Sequence, residues 1–282
     1  MGSDVLIIGG GPAGLSAAVN VLSRGKTALV VSNPLEENPL WRSKRVENYL
    51  GLPGRSGSEL LRAFRAHAEA AGAEFLEGKV LNTAMAGDAW YVSVGSSVQE
   101  AGALILAAGV VRSRKFPGEA EFLGRGVSYC ATCDGMFYRG KRTAVLGWTD
   151  SARREADFLR EIGCQVLYYD RPGSCEIKGG STVEQIVCGG RTAAVDGVFI
   201  LRPAMAPMDL FPGLAAENGY VTVDRQMATN LPGVFAAGDC TGGPLQLSKA
   251  VGEGLIAGQS AAGWIDSRRK HSPTGGAFQS RS

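Results

Sequence analysis

The apolar positions of this chain fall into two rhythms, and their order along the sequence sets the fold class. Val5-Leu6-Ile7-Ile8 is an unbroken apolar run with the pattern of a short buried strand. Leu15–Leu22 then repeats apolar residues at helical spacing and stops at Gly25, and Ala28–Val31 is a second strand run. A βαβ unit therefore opens the chain. Residues 33–45, with Pro34, Pro39 and mixed charges, read as a loop. A helix follows, with Ser56 and Glu59 at capping-box spacing, an apolar face of Leu60, Leu61, Phe64, Ala68 and Ala71, and Gly72 as its stop. Residues 73–107 are strand-rich and end in the apolar run Leu104–Ala108.

Gly109–Gly126 is a polar connector, and the strand–helix–strand rhythm then recurs: Thr143–Leu146, Ala152–Ile162, Val166–Tyr169. Gly189-Gly190 separates two alternating runs as a hairpin turn. Val198–Leu201 is one more strand. From about Arg202 the chain returns to the first unit, with a strand at Val234–Ala237, the turn Gly238-Asp239 and a long helix from Leu245 to Trp264. The expected architecture is α/β: two Rossmann-like three-layer ββα domains. The first is discontinuous, over residues 1–111 and 203–282. The second, residues 112–202, is inserted and shortened, because the chain between Asp170 and Val198 is too short for another βαβ crossover plus the hairpin. The segment from Asp266 is basic, then Ser/Gly-rich, and is expected to be mobile.

Composition narrows the function. A net charge of +2 argues against nucleic acid or an anionic membrane as partner. No long apolar stretch suggests a membrane span, and no signal peptide is expected. Six cysteines in 282 residues are too few for a disulfide scaffold, so the close pair among them points to redox or metal chemistry in a reducing, cytoplasmic setting.

Gly9-x-Gly11-x-x-Gly14, between a strand and a helix, is a dinucleotide fingerprint. Gly9 permits the tight turn, Gly11 lets the backbone approach a pyrophosphate, and Gly14 lets helix and strand pack closely. Pro12 and Ala13 complete the loop. The acidic residue usual after the second strand is missing, and Ser32-Asn33 stands there. A second signature, Gly233–Asp239, puts Asp239 past a strand and before a helix, where it can accept a hydrogen bond from a ribityl hydroxyl and so favours FAD over NAD. The helix amino terminus there can direct partial positive charge toward a flavin ring.

Cys130-Ala131-Thr132-Cys133-Asp134-Gly135 is the most specific stretch. Cysteines three apart can close a small disulfide and often carry depressed thiol pKa values, and a dithiol reduces another disulfide through a mixed disulfide. Asp134 is placed to shuttle the proton. The competing readings are a zinc half-site and an inert structural pair. Zinc would need a second Cys/His pair, whereas Cys164, Cys175, Cys188 and Cys240 are scattered and read as small buried hydrophobes, and the histidines are only His67 and His271.

Together with Val46-Glu47-Asn48-Tyr49 and Ala107-Ala108-Gly109, these motifs resemble the low-molecular-weight thioredoxin reductases over about residues 4–265. The resemblance implies an FAD-dependent disulfide oxidoreductase, with Cys133 facing the flavin, Cys130 attacking thioredoxin and Asp134 as acid/base. It implies FAD contacts at Asn48, Ala108, Gly109, Gly238, Asp239, Gln246 and Leu247, and a homodimer whose second domain rotates between two arrangements.

The second glycine loop departs from that family. It reads Gly147-Trp148-Thr149-Asp150-Ser151-Ala152, so a β-branched residue stands where a pyrophosphate should approach, and no basic cluster for a 2′-phosphate follows Tyr169. Asp170 would repel that phosphate, though it could suit the ribose diol of NADH. The pattern is similar to the pyridine-nucleotide-independent branch, which implies reduced ferredoxin as the expected donor. NAD(P)H bound in an unusual way, a dithiol oxidase, and an FAD-holding redox sensor without turnover are the alternatives. With no nicotinamide stacked on the flavin, a ring from the terminal segment, such as His271 or Phe278, could cover it.

Overall fold

The computed structural model describes residues 2–110 and 115–271. Strand β1 (Ser3–Ile8) leads through the glycine loop into helix α1 (Pro12–Leu22), and β2 (Ala28–Ser32) pairs with β1 in parallel. Two single helical turns over residues 35–42 occupy the segment expected to be loop. Helix α2 (Gly57–Ala70) carries the capping box in full: Ser56 Oγ accepts from the Glu59 N–H, and Glu59 accepts from the Ser56 N–H. Strands β3 (Glu74–Glu77), β4 (Val80–Ala86), β5 (Ala89–Val94) and β6 (Ser97–Leu106) follow, giving a sheet ordered β3-β2-β1-β6-β5-β4. β1, β2, β3 and the second half of β6 run parallel, whereas β4 and β5 extend the first half of β6 as antiparallel neighbours.

The unbroken apolar run of β1 is explained by two-sided burial. Val5 and Ile7 face a core shared with α1 and the last helix, while Leu6 and Ile8 face a second core with Trp90, Val92, Leu210 and Phe211.

The second unit holds β7 (Val127–Ser128), α3 (Ala131–Asp134), β8 (Arg142–Gly147), α4 (Asp150–Glu161), β9 (Gln165–Asp170), β10 (Cys175–Gly179), β11 (Val183–Cys188), β12 (Arg191–Ala194) and β13 (Gly197–Leu201). Its parallel sheet, ordered β7-β13-β8-β9, is sandwiched between α3–α4 on one face and the antiparallel sheet β10-β11-β12 on the other. This antiparallel sheet alone occupies the short segment between β9 and β13. Gly189-Gly190 is a two-residue turn with both φ values positive, +57° and +76°, joining β11 to β12.

Cys175 and Cys188 correct the reading of the scattered cysteines. The register of β10 and β11 sets them directly opposite, Cα atoms 4.3 Å apart, as a disulfide; Cys164 and Cys240 are the buried free thiols.

After β13 come the short α5 (Pro207–Leu210), β14 (Ala216–Glu217) and β15 (Tyr220–Val221). Then β16 (Val234–Ala236) pairs with the second half of β6, returning the chain to the first sheet, and α6 (Leu247–His271) packs along α1. α6 runs beyond Asp266, through the start of the segment expected to be mobile. Its basic last turn is anchored there, Arg269 on Asp4 at 2.5 Å and Arg268 on Asp88 at 2.6 Å, and cations suit a helix carboxyl end. Phe278, and the boundary between residues 111 and 112, lie outside the described residues. Among the described residues no helix is long and apolar enough to cross a membrane.

The α1–α6 contact depends on missing side chains. A Cβ at Gly258 would meet the Ala17 carbonyl oxygen at 2.6 Å, whereas one at Gly263 on the same helix would meet nothing. Gly258→Val should therefore cost ~1–3 kcal/mol through overpacking. Gly263→Ala should gain about 0.5–1 kcal/mol from helix propensity. Denaturant midpoints of the two variants, moving in opposite directions, check this.

Candidate functional site

The glycine loop lies at the carboxyl end of β1 between β2 and β6. Gly9 adopts φ +118°, and a Cβ there would meet the Ala107 carbonyl oxygen at 2.3 Å, which sets Ala108 and Gly109 beside the loop. A Cβ at Gly14 would meet the Gly9 carbonyl oxygen at 1.9 Å. Gly11, by contrast, faces only the Asn38 amide, so the loop is open on that side. Pro12 is the first helical residue of α1, and no side chain caps that helix, which leaves its amino-terminal N–H groups free to meet an anion. Asn38 was not signalled by the sequence, since it sits in an irregular turn.

The carboxyl-terminal signature reaches the same place. A Cβ at Gly238 would meet the Ala13 Cβ at 2.8 Å, so this turn abuts the first turn of α1. Two side chains of α6, Glu253 and Lys249, hold it. The Gly238 N–H donates to Glu253 Oε2 at 2.8 Å, and Lys249 Nζ donates to the Gly238 carbonyl at 2.9 Å and to Thr241 Oγ1 at 3.0 Å. Lys249 and Glu253 were also missed, although their i,i+4 spacing on the last helix was readable. Asp239 makes no side-chain hydrogen bond among the described residues. Burial pushes its carboxyl up, against the pull of Lys249. Asn48 and Gln246, far apart in sequence, meet: Asn48 Nδ2 donates to Gln246 Oε1 at 2.7 Å, just before Leu247 starts α6. Ser32 lies against Gly10. Asn33 is drawn elsewhere, its Nδ2 donating to the Pro203 carbonyl at 2.6 Å and tying the end of β2 to the returning chain.

In the second unit, Cys130 and Cys133 form a disulfide across the first turn of α3, with Cα atoms 5.4 Å apart. Cys130 is the N-cap residue; its Sγ accepts from the Cys133 N–H at 3.2 Å. Cys130 is buried and Cys133 half-buried. Ser128 ties the turn together, and no motif announced it. Its hydroxyl accepts from the Cys130 N–H at 3.1 Å and reaches Asp134 Oδ2 at 2.6 Å, so the three predicted residues are brought together.

The second glycine loop is filled by the chain itself. A Cβ at Gly147 would meet the Tyr168 hydroxyl at 2.4 Å. Trp148 stacks on Phe116, centroids 6.1 Å apart, and the Arg202 guanidinium lies over both rings. Thr149 caps α4, accepting from the Ala152 N–H at 3.2 Å. Glu37, from the first unit, accepts from the Ser151 N–H at 3.3 Å and from its hydroxyl at 2.8 Å. Asp170 is paired with Arg153 at 2.8 Å.

Behind the redox turn, Glu119 is fully buried and takes both arms of Arg202, at 2.6 and 2.8 Å, plus the Tyr129 hydroxyl at 3.0 Å. Burial pushes Glu119 up, but Arg202, with the Phe116 N–H, outweighs it and holds the carboxyl below its usual range. Burial, reinforced by Glu119, pushes the Tyr129 phenol up.

A match to the pyridine nucleotide-disulphide oxidoreductase family spans residues 3–187 and 173–254. A thioredoxin reductase of Listeria monocytogenes is 33% identical over 300 residues, covering 93% of this chain and 94% of the relative. Among solved structures, a ferredoxin-flavin thioredoxin reductase from Clostridium acetobutylicum is 36% identical with a TM-score of 0.90, covering 95% of this chain and 99% of that one. A Lactococcus lactis thioredoxin reductase in its FR conformation covers 94% and 99% at 29% identity, with a TM-score of 0.59.

The buried Glu119–Arg202 pair sets a pH dependence. A depressed carboxyl stabilises the fold above its unfolded pKa, and that stability is lost as pH falls through the lowered folded value. Glu119→Gln should cost ~3–5 kcal/mol at neutral pH, since it removes the buried carboxylate that takes both arms of Arg202. The difference from wild type should shrink steadily as urea midpoints are taken from neutral pH into the acid range.

Proposed function

The chain belongs to the low-molecular-weight thioredoxin reductases of the pyridine nucleotide-disulphide oxidoreductase family, and from that premise we propose that it reduces thioredoxin with electrons from reduced ferredoxin. The observation that carries the donor is the contrast between two equivalent helix ends. The amino terminus of α1 is open and glycine-lined, whereas that of α4 is closed by Thr149 and by the Glu37 carboxylate. A pyrophosphate at α4 would have to displace a carboxylate and meet Thr149, and Trp148 and Tyr168 already fill the space beside it. The solved relative named for ferredoxin supports the same donor.

FAD fits the open cradle. Gly9, Gly11, Pro12, Ala13 and Gly14 would hold its pyrophosphate. Asp239, a half-buried carboxylate without a side-chain hydrogen bond among the described residues, suits a ribityl hydroxyl. Asn48, Gln246, Leu247, Ala108, Gly109 and Gly238 would line the remainder, with Ser32 toward the adenosine end; the Asn33 amide is engaged with the Pro203 carbonyl instead. Bound there, FAD supplies a carrier that takes electrons singly from a one-electron donor and passes a pair to a disulfide.

From the reduced pair onward the chemistry is the chain's own. The Cys130 thiolate attacks the thioredoxin disulfide, forming a mixed disulfide and releasing one thioredoxin sulfur, which takes a proton. Cys133 then attacks the Cys130 sulfur, re-forming their disulfide and releasing the second sulfur. Asp134, hydrogen-bonded to Ser128, is the group that moves the proton. Cys130 is the more buried cysteine, so attack requires the turn to swing outward. Met136 and Phe137, exposed just after the turn, suit a protein partner better than a small dithiol. The working unit in this reading is a cytoplasmic homodimer with a discontinuous FAD domain and an inserted redox domain, divided near residues 111 and 203.

Two experiments test it. Stopped-flow mixing under anaerobic conditions should bleach the flavin with reduced ferredoxin and leave it oxidised with millimolar NADPH or NADH; rapid bleaching at micromolar NADPH overturns the donor. Reduced Cys133→Ser should trap a mixed disulfide with thioredoxin on non-reducing gels, whereas Cys130→Ser should not; the reverse exchanges the two roles.

A further inference from the structure

Two half-buried charges hold the backbone on either side of Cys130. Lys79, between β3 and β4, sends Nζ across to the Tyr129 carbonyl at 2.8 Å and the Arg202 carbonyl at 3.4 Å. Tyr129 is the residue before Cys130. On the other side, Glu155 of α4 accepts from the Ala131 N–H at 3.0 Å, and Ala131 is the residue after Cys130. The disulfide is thus bracketed by an ammonium from the first unit and a carboxylate from the second.

The charges around Lys79 are Glu155 on α4, Glu37 on the turn after β2 and Arg202 at the end of β13. Burial pulls the Lys79 ammonium down to about 8, with the two carboxylates opposing that fall and Arg202 adding to it. Burial pushes the Glu155 carboxyl up, and Lys79 is the largest force holding it down. A tie between two carbonyls and an N–H needs no charge, since a glutamine or serine could make it. Removing charge from water is costly unless it is paired and hydrogen-bonded; Lys79 and Glu155 attract each other, and each is held one residue from Cys130. The group that gains charge here is the reduced cysteine pair, whose thiolate is the nucleophile.

We propose that Lys79 and Glu155 are positioning residues for the redox turn, with Lys79 favouring the thiolate of the reduced Cys130–Cys133 pair and Glu155 opposing it. The proposal rests on reading that pair as redox-active, and it does not depend on which donor or acceptor the enzyme uses. At neutral pH the ammonium supports the thiolate. As pH rises through about 8, Lys79 loses its proton and that support fades, so thiolate formation should become less steep with pH than a single titration.

The test labels the thiols directly. The flavin-loaded full chain is reduced anaerobically with tris(2-carboxyethyl)phosphine and pulsed with iodoacetamide between about pH 5 and 9, the range of thiol titration. Labelling of Cys130 and Cys133 is read by peptide mass spectrometry, with Cys164 as internal control. Lys79→Met should raise the midpoint by about one pH unit, slowing labelling roughly tenfold at neutral pH. Lys79→Arg should restore the midpoint and remove the shallow rise above pH 8. Glu155→Gln should lower the midpoint. Opposite movements of Lys79→Met and Glu155→Gln identify charge, whereas a shared direction, or unchanged profiles in variants with wild-type circular dichroism, overturns the proposal. If Lys79→Met does not fold, the sign of the Glu155→Gln shift decides alone. A protein that labels as expected but fails to turn over thioredoxin would instead refute the function proposed above.

Discussion

A helix begins with N–H groups that have no partner within the helix, and something must satisfy them. In this protein two helices pose that question in equivalent places, at the strand-to-helix step of each βαβ unit, and receive different answers. α1 meets it with three glycines and no capping side chain, leaving its end to a ligand. α4 meets it with Thr149 and with Glu37, a carboxylate supplied by the other unit. The second answer removes an anion site and at the same time fastens the first unit to the helix that carries Glu155. The redox turn is held from both units, by Lys79 from the first and Glu155 from the second.

Once Glu37 is committed to α4, other polar groups in the seam have defined partners. Lys79 reaches the turn before Cys130, Asn33 reaches Pro203, and Arg202 is clamped to Glu119 beneath a stack of Phe116 and Trp148. Trp148 and Thr149, which look like damage when compared with a nucleotide loop, are structural members of this seam. Glu37 keeps one buried carboxyl oxygen without a hydrogen bond among the described residues, and it lies close enough to attract the Lys79 ammonium.

The parts legible in the sequence are those whose physics is local. The first glycine loop, the Ser56–Glu59 capping box, the Gly189-Gly190 turn and the Cys130–Cys133 spacing each depend on residues a few positions apart, and each forms as expected. Asn48 and Gln246, far apart in the chain, were brought to the site by resemblance and not by periodicity. The seam was not legible, because Glu37–Ser151 and Lys79–Tyr129 join residues whose neighbours carry no pattern. The Cys175–Cys188 pair was hidden for another reason. The hairpin at Gly189-Gly190 sets the register of β11 on β12, but Cys188 faces β10, whose register depends on the irregular link at residues 180–182.

The shortened second unit can be understood from what it must still do. Under the proposed donor it no longer needs a crossover helix beyond β9 to close a nucleotide pocket. A three-stranded sheet covers the exposed face of β8 and β13 instead, packing Ile177, Val183 and Ile186 on Ala144, Leu146, Val198 and Ile200. Such a small sheet has little core of its own, and a cross-strand disulfide limits the unfolded chain where packing is thinnest. The other face keeps α3 and α4 because the redox turn is built there: Cys130 caps α3, and the turn is held by Ser128 from β7 and Glu155 from α4. Under that donor, the part of the second unit that remains is the part that positions the disulfide.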